Sequence, residues 1–106
     1  MRILLVEDEK KIAQFIVKGL REEGYAVDCA ENGKDALKII NVYEYDMVIT
    51  DIMMPQLNGL EFISEIRKKQ INIPVIIISA KSHIDDKIIV LDSGADDFLS
   101  KPFSFG

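Results

Sequence analysis

Short, near-continuous apolar runs alternate with stretches of helical spacing along this chain, and that alternation restricts the fold more than any single residue does. Ile3-Leu4-Leu5-Val6 is the run of a buried strand, and Ile12, Phe15, Ile16, Gly19 and Leu20 follow at the spacing of an amphipathic helix. Gly24 is placed to stop that helix. Tyr25–Ala30 reads as a second strand whose apolar run is broken by Asp28, which suggests a sheet edge, and Ala36, Leu37 and Ile40 mark a helix beginning near Gly33. Met47-Val48-Ile49-Thr50 is a third strand, followed by a loop and a helix that carries Leu60, Ile63 and Ile66, with Asn58 as its N-cap. Pro74 opens a fourth strand, Val75–Ile78. Ile84, Ile88 and Leu91 then mark a fourth helix ending at Gly94, and Asp97–Ser100 makes a fifth, shorter strand.

Strands alternating with helices pair in parallel, because right-handed helical crossovers join parallel neighbours and cover both sheet faces. Strands that are apolar on both sides fit that burial. The expected fold is therefore α/β, a flavodoxin-like doubly wound parallel sheet of five strands in the order 2-1-3-4-5. Ligands of such sheets bind beyond the carboxyl ends of the strands, at the point where the strand order reverses. The residues just after each strand carry the functional information.

Length and charge limit what else the chain can do. A chain of 106 residues is expected to form one core, a single domain over 1–106 with no effector domain beside it. Thirteen basic residues against eighteen acidic ones leave a net charge of −5, and the basic residues gather on no single stretch, so direct nucleic-acid contact is not expected. The run Ile3–Val6 is too short for a secretory core or a membrane span, which predicts a cytoplasmic protein without membrane contact. The lone Cys29 has no disulfide partner and no Cys/His cluster offers a zinc site; it is expected to be a small buried hydrophobe.

At the strand ends stand Glu7 and Asp8 after strand one, Asp51 after strand three, Ser79 closing strand four and Lys101 after strand five. In the order 2-1-3-4-5 these strands are contiguous, so the groups converge. Three carboxylates crowded together repel one another and are tolerated when a hard, oxygen-seeking divalent cation sits among them. Mg²⁺ is the natural candidate, with Mn²⁺ an alternative, because it takes one or two carboxylates and bridges to phosphate oxygens. Lys101 supplies a compact positive charge and Ser79 a hydroxyl. A carboxylate nucleophile, a divalent metal, an ammonium and a hydroxyl are what phosphoryl transfer to an aspartate requires. Asp8, with its acidic neighbour, suits the metal, while Asp51 stands alone before Ile52-Met53-Met54-Pro55.

The stretches Leu5-Val6-Glu7-Asp8-Glu9, Asp51-Ile52-Met53-Met54-Pro55 with Asn58-Gly59, Ser79-Ala80-Lys81, and Gly94-Ala95-Asp96-Asp97-Phe98 through Lys101-Pro102-Phe103 together resemble a response-regulator receiver domain of two-component systems. The last stretch is similar to the subfamily that carries a winged-helix DNA-binding domain. The resemblance implies Glu7 and Asp8 as the acidic pair organising Mg²⁺, Asp51 as phosphoacceptor and metal ligand, and the Met53 carbonyl as a backbone ligand. It implies Ser79 and Lys101 as contacts of the phosphoryl group, Ser79 and Phe98 as the switch pair, a cis peptide between Lys101 and Pro102, and Met53 and Lys81 as residues that tune dephosphorylation. Many members have Tyr where Phe98 stands, so a phenolic hydroxyl is missing from the readout here. The implied partner is a sensor histidine kinase, and the implied function is a phosphorylation-dependent signalling switch rather than an enzyme, relaying to a DNA-binding output in the full-length regulator.

Other readings explain less. A dehalogenase-like Mg²⁺-dependent phosphatase wants a second acid two residues after its nucleophile, where Met53 stands, and no G-x-G-x-x-G or P-loop follows the first strand. A phosphorylation-inactive interaction module would have no need of Glu7, Asp8, Asp51, Ser79 and Lys101 together. Asp85-Asp86 suits the first turn of a helix, His83 has no orienting neighbour, and Asp96-Asp97 falls at the opposite sheet end from Asp51. Kinase specificity is sought on the first helix, at Lys11, Gln14 and Phe15.

Receivers of this kind continue past Lys-Pro-Phe into a fifth helix, whereas here Phe103–Gly106 follow, fewer residues than a helix needs. The apolar surface that helix would cover is expected to drive self-association or exchange of a strand or helix. Light scattering at high concentration checks this: a species larger than one chain is expected, and a stable monomer counts against it.

Overall fold

The computed structural model describes residues 1–52, 56–80 and 97–101, with side chains for 1–52 and 56–78. Its strands are β1 (Arg2–Val6), β2 (Ala26–Ala30), β3 (Met47–Asp51), β4 (Val75–Ala80) and β5 (Asp97–Lys101), and its helices are α1 (Lys10–Glu22), α2 (Gly33–Ile40) and α3 (Gly59–Lys68). The five strands form one parallel sheet in the order β2-β1-β3-β4-β5, as the alternation requires. The expected fourth helix of Ile84, Ile88 and Leu91 with its end at Gly94, together with Met53, Lys81, His83, Asp85, Asp86, the Lys101–Pro102 peptide and Phe103–Gly106, lies outside the described residues.

Strand residues alternate between two apolar layers. Leu4, Val6, Val48, Val75 and Ile77 face α2 and α3, where they meet Ala36, Ile40, Phe62, Ile63 and Ile66. Ile3, Leu5, Val27 and Ile78 face α1, against Ala13, Ile16 and Leu20. A sheet coated on both faces this way leaves its strand ends as the place where polar groups can reach solvent.

The helices start and stop where local chemistry directs them. Asn58 caps α3 with a reciprocal pair of bonds: its side chain accepts from the Glu61 amide at 2.9 Å, while the Glu61 carboxylate accepts from the Asn58 amide at 3.2 Å. Asn32 caps α2, accepting from the Asp35 amide at 2.8 Å. Gly24, at φ +93°, turns the chain out of α1 into β2, in a left-handed conformation that glycine adopts without steric cost. Two expectations are corrected. Phe15 does not join the α1 core stripe but is 51% exposed, because the stripe runs through Ala13, Ile16 and Leu20 and leaves Phe15 on the solvent side. Cys29 is exposed rather than buried, because β2 is the edge strand that Asp28 suggested and Cys29 lies beyond the cover of α1. Partial desolvation, with Glu31 and Glu7 nearby, pushes its thiol up, so it stays protonated at neutral pH.

At the amino end of the sheet a polar clasp ties β1, β2 and the approach to β3. The Arg2 guanidinium donates from Nε (3.0 Å) and Nη2 (2.7 Å) to Asp28 Oδ2, which also accepts from the Tyr45 hydroxyl at 2.7 Å. The Arg2 amide donates to Asp46, and the guanidinium lies 4.9 Å and 5.2 Å from the ring centres of Tyr43 and Tyr45. The Tyr45 hydrogen bond first, and then Arg2, holds the Asp28 carboxyl below the usual carboxylate range against its desolvation cost. Desolvation and the bond to Asp28 push the Tyr45 phenol up. A carboxyl depressed in the folded state adds stability above its unfolded value and loses it as pH falls through its folded value. The stability lost in Asp28→Asn is therefore expected to be largest near neutral pH and to shrink below about pH 4, as read by urea unfolding at pH 7 and pH 3.

Candidate functional site

Glu7 follows β1 directly, and its amide continues the ladder by donating to the Ala30 carbonyl at 3.0 Å. That bond turns the Glu7 side chain into the protein, where it is 1% exposed, while the next residue, Asp8, faces solvent. Asp51 is the last residue of β3 and is 7% exposed. β1 and β3 are adjacent and in the register Val6↔Thr50, so the residues after these partners, Glu7 and Asp51, emerge side by side. One carboxylate oxygen from each of Glu7, Asp8 and Asp51 lies within 4.8 Å of the others, the acidic cluster expected from the strand ends.

Three carboxylate oxygens at that spacing, two of them on buried residues, fit a hard divalent cation in number, charge and oxygen character. The cluster also keeps one solvent-facing side, through Asp8. The Met53 carbonyl, expected as a further ligand, lies outside the described residues.

The register carries β4 and β5 to the same end of the sheet. Asp51 pairs with Ile78, so Ser79 stands one position beyond the partner of Asp51, and Lys101 pairs with Ala80. Strand order and register thus bring the backbones of Ser79 and Lys101 to the acidic end. Asp97, at the start of β5, pairs with Ile76 and stands toward the other end, as expected. Phe98 pairs with Ile77 within β5.

Two glycines to which the sequence assigned no packing role, Gly33 and Gly59, contact described residues on either side of the stretch after Asp51. They open α2 and α3, each just after its asparagine cap. The Gly59 amide donates to the Ile52 carbonyl at 2.9 Å, and a Cβ on Gly59 would fall on the Asp51 carbonyl oxygen. The signal was present as the repeated Asn-Gly pair, Asn32-Gly33 and Asn58-Gly59, in which the cap explains the asparagine but nothing local explains the glycine.

Comparisons with known proteins agree with this fold. The family model described as response regulator receiver domain matches residues 3–106. The chain is similar to the transcriptional regulatory protein PcoR of Escherichia coli, 44% identical over 104 residues that cover 98% of this chain and 46% of that protein. It is also similar to the transcriptional regulatory protein DltR of Streptococcus agalactiae, 46% identical over 97% of this chain and 46% of that protein. Among solved structures, the receiver domain of the Francisella response regulator 1452 is 47% identical with a TM-score of 0.91, over 97% of this chain and 85% of that one. The chain spans less than half the length of these curated relatives.

The crowding has a measurable cost. Like charges a few ångströms apart at the edge of solvent repel by on the order of 1 kcal/mol. Asp8→Asn is accordingly expected to raise the metal-free unfolding temperature slightly while weakening Mg²⁺ or Mn²⁺ binding. Thermal unfolding with and without the ion measures both effects on one sample.

Proposed function

This chain belongs to the response regulator receiver domain family, and from that premise we propose that it is a phosphorylation-dependent signalling switch in which Asp51 accepts a phosphoryl group from the phosphohistidine of a sensor histidine kinase. The observation that carries the proposal is the convergence of Glu7, Asp8 and Asp51 at the carboxyl ends of adjacent central strands. A carboxylate oxygen of Asp51 attacks phosphorus, an O–P bond forms as the P–N bond to the imidazole breaks, and the leaving ring nitrogen keeps the electron pair. The strand end holds Asp51 with its oxygens toward the acidic cluster, so much of the positioning such a transfer needs exists before the donor arrives.

Glu7, Asp8, Asp51 and the Met53 carbonyl are the residues that would hold Mg²⁺, which when bound supplies neutralisation of the charge on the phosphoryl oxygens. Lys101 adds its ammonium and Ser79 its hydroxyl to the same oxygens, in keeping with their strands' placement beside β3. The shift of Ser79 toward the phosphoryl group draws Phe98 inward, which is the change relayed to an output. Met53 and Lys81 are the residues to which tuning of the aspartyl phosphate's lifetime is assigned. The relatives named as transcriptional regulatory proteins support a transcriptional output for the full regulator, and a cytoplasmic place of action goes with that reading. No helix among the described residues is long and apolar enough to cross a membrane.

Incubation with Mg²⁺ and acetyl phosphate is expected to add one phosphate per chain, seen in the intact mass, and Asp51→Asn is expected to abolish the adduct. A folded, Mg²⁺-binding protein that takes no phosphate overturns the proposal.

A further inference from the structure

The loop that leaves β3 is held from outside as well as at its base. The amides of Gly33 and Lys34, in the first turn of α2, donate to the carbonyls of Leu57 and Gln56 at 3.2 Å and 3.0 Å. These two bonds hold consecutive residues in the left-handed region, Gln56 at φ 50° and Leu57 at φ 82°, where a residue with a side chain rests only at a cost. A Cβ on Gly33 would fall on the Leu57 carbonyl oxygen and crowd the Leu57 side chain, so only glycine allows α2 to approach. Asn32, buried and bonded to Asp35, fixes the helix end that makes the approach. On the other side, Gly59 packs on the Asp51 carbonyl and its amide bonds to Ile52. Ile52 is therefore held by α3, and Gln56 and Leu57 are held by α2.

Neither contact involves the acidic side chains, and a helix start could be built from Asn and Ala without any of this. We propose that Gly33 is a positioning residue for the phosphoryl-accepting site: its bare Cα lets the α2 N-terminus grip the carbonyls of Gln56 and Leu57 and so hold the adjoining Gly59, which packs on the Asp51 carbonyl, in the arrangement in which Asp51 binds the divalent ion. The inference rests on the function proposed above. It assigns part of ion affinity and phosphorylation rate to a helix that contributes no ligand. Because coupling between two sites is reciprocal, ion binding must in turn tighten the grip of α2 on the loop.

The test compares Gly33→Ala with Gly24→Ala. Gly24 has a left-handed φ and open space around its Cα, so alanine there strains the backbone without touching the loop. Both variants are expected to lose stability. Only Gly33→Ala is expected to weaken Mg²⁺ binding, by about tenfold or more, as changes to groups that orient ligands commonly do, and to slow acetyl-phosphate labelling of Asp51 at a fixed Mg²⁺ concentration. Amide hydrogen exchange on the unmodified protein gives a readout independent of any variant: the Gly33 and Lys34 amides are expected to exchange more slowly when Mg²⁺ is added. Equal Mg²⁺ affinity in both variants overturns the inference, and so does exchange at Gly33 and Lys34 that ignores Mg²⁺ should Gly33→Ala fail to fold. Failure of the unmodified protein to take phosphate overturns the proposed function instead, and the two outcomes are separate.

Discussion

The register between β1 and β3 is the constraint on which the rest of the site depends. Ile3 pairs with Met47 and Val6 with Thr50, so the two central strands end level and Glu7 and Asp51 leave the sheet side by side. A slip of one residue would turn every side chain of a strand to the opposite face. Leu4, Val6 and Val48 would leave the α2–α3 layer, and Ile3 and Leu5 would leave the α1 layer. The apolar core therefore helps hold the acidic cluster in place, because a one-residue slip cannot separate the carboxylates without also exposing the core.

This makes the cluster a local disadvantage that the fold absorbs. Three carboxylates within 4.8 Å of one another repel, and Glu7 and Asp51 are largely removed from water. Hydrophobic burial along the central strands offsets that repulsion with apolar side chains such as Leu4, Leu5, Val6 and Val48, all at 0% exposure. The left-handed backbone at Gln56 and Leu57 is a second local cost, offset by two hydrogen bonds from α2 and by Leu57 packing against the core. Costs of both kinds sit at the carboxyl end of the sheet, where the chemistry is.

The amino end is organised differently. There the Arg2–Asp28–Tyr45 clasp matches charges and donors, and it braces the edge strand β2, which has a sheet neighbour on one side only. Arg21 adds a bond from its guanidinium to the Val27 carbonyl at 3.1 Å, occupying a backbone acceptor of the same strand. One end of the sheet thus pairs opposite charges and the other gathers three carboxylates, on a common apolar core.

Much of this was legible in the residues themselves. Periodicity placed every described strand and helix, Asp28 marked the edge, Asn58 marked a cap, and charged residues after apolar runs marked the strand ends. Phe15 and Cys29 misled for one reason: an apolar side chain states a preference for burial, but whether a neighbour covers it depends on which helix face turns inward and which strand lies at the edge. Gly33 was legible as a helix start and Gly59 as part of the Asn58-Gly59 pair, but their packing was not, because the approach of α2 to Gln56 and Leu57 is a contact between segments distant in the chain. The sequence by itself determined which chemical groups arrive at the carboxyl ends of the strands, since hydrophobic period and residue type are local properties. Only the tertiary structure decided that Glu7, Asp8 and Asp51 meet within a cation's reach and that α2 grips the loop beside them, because strand register and helix packing are set by the shared core rather than by any one segment.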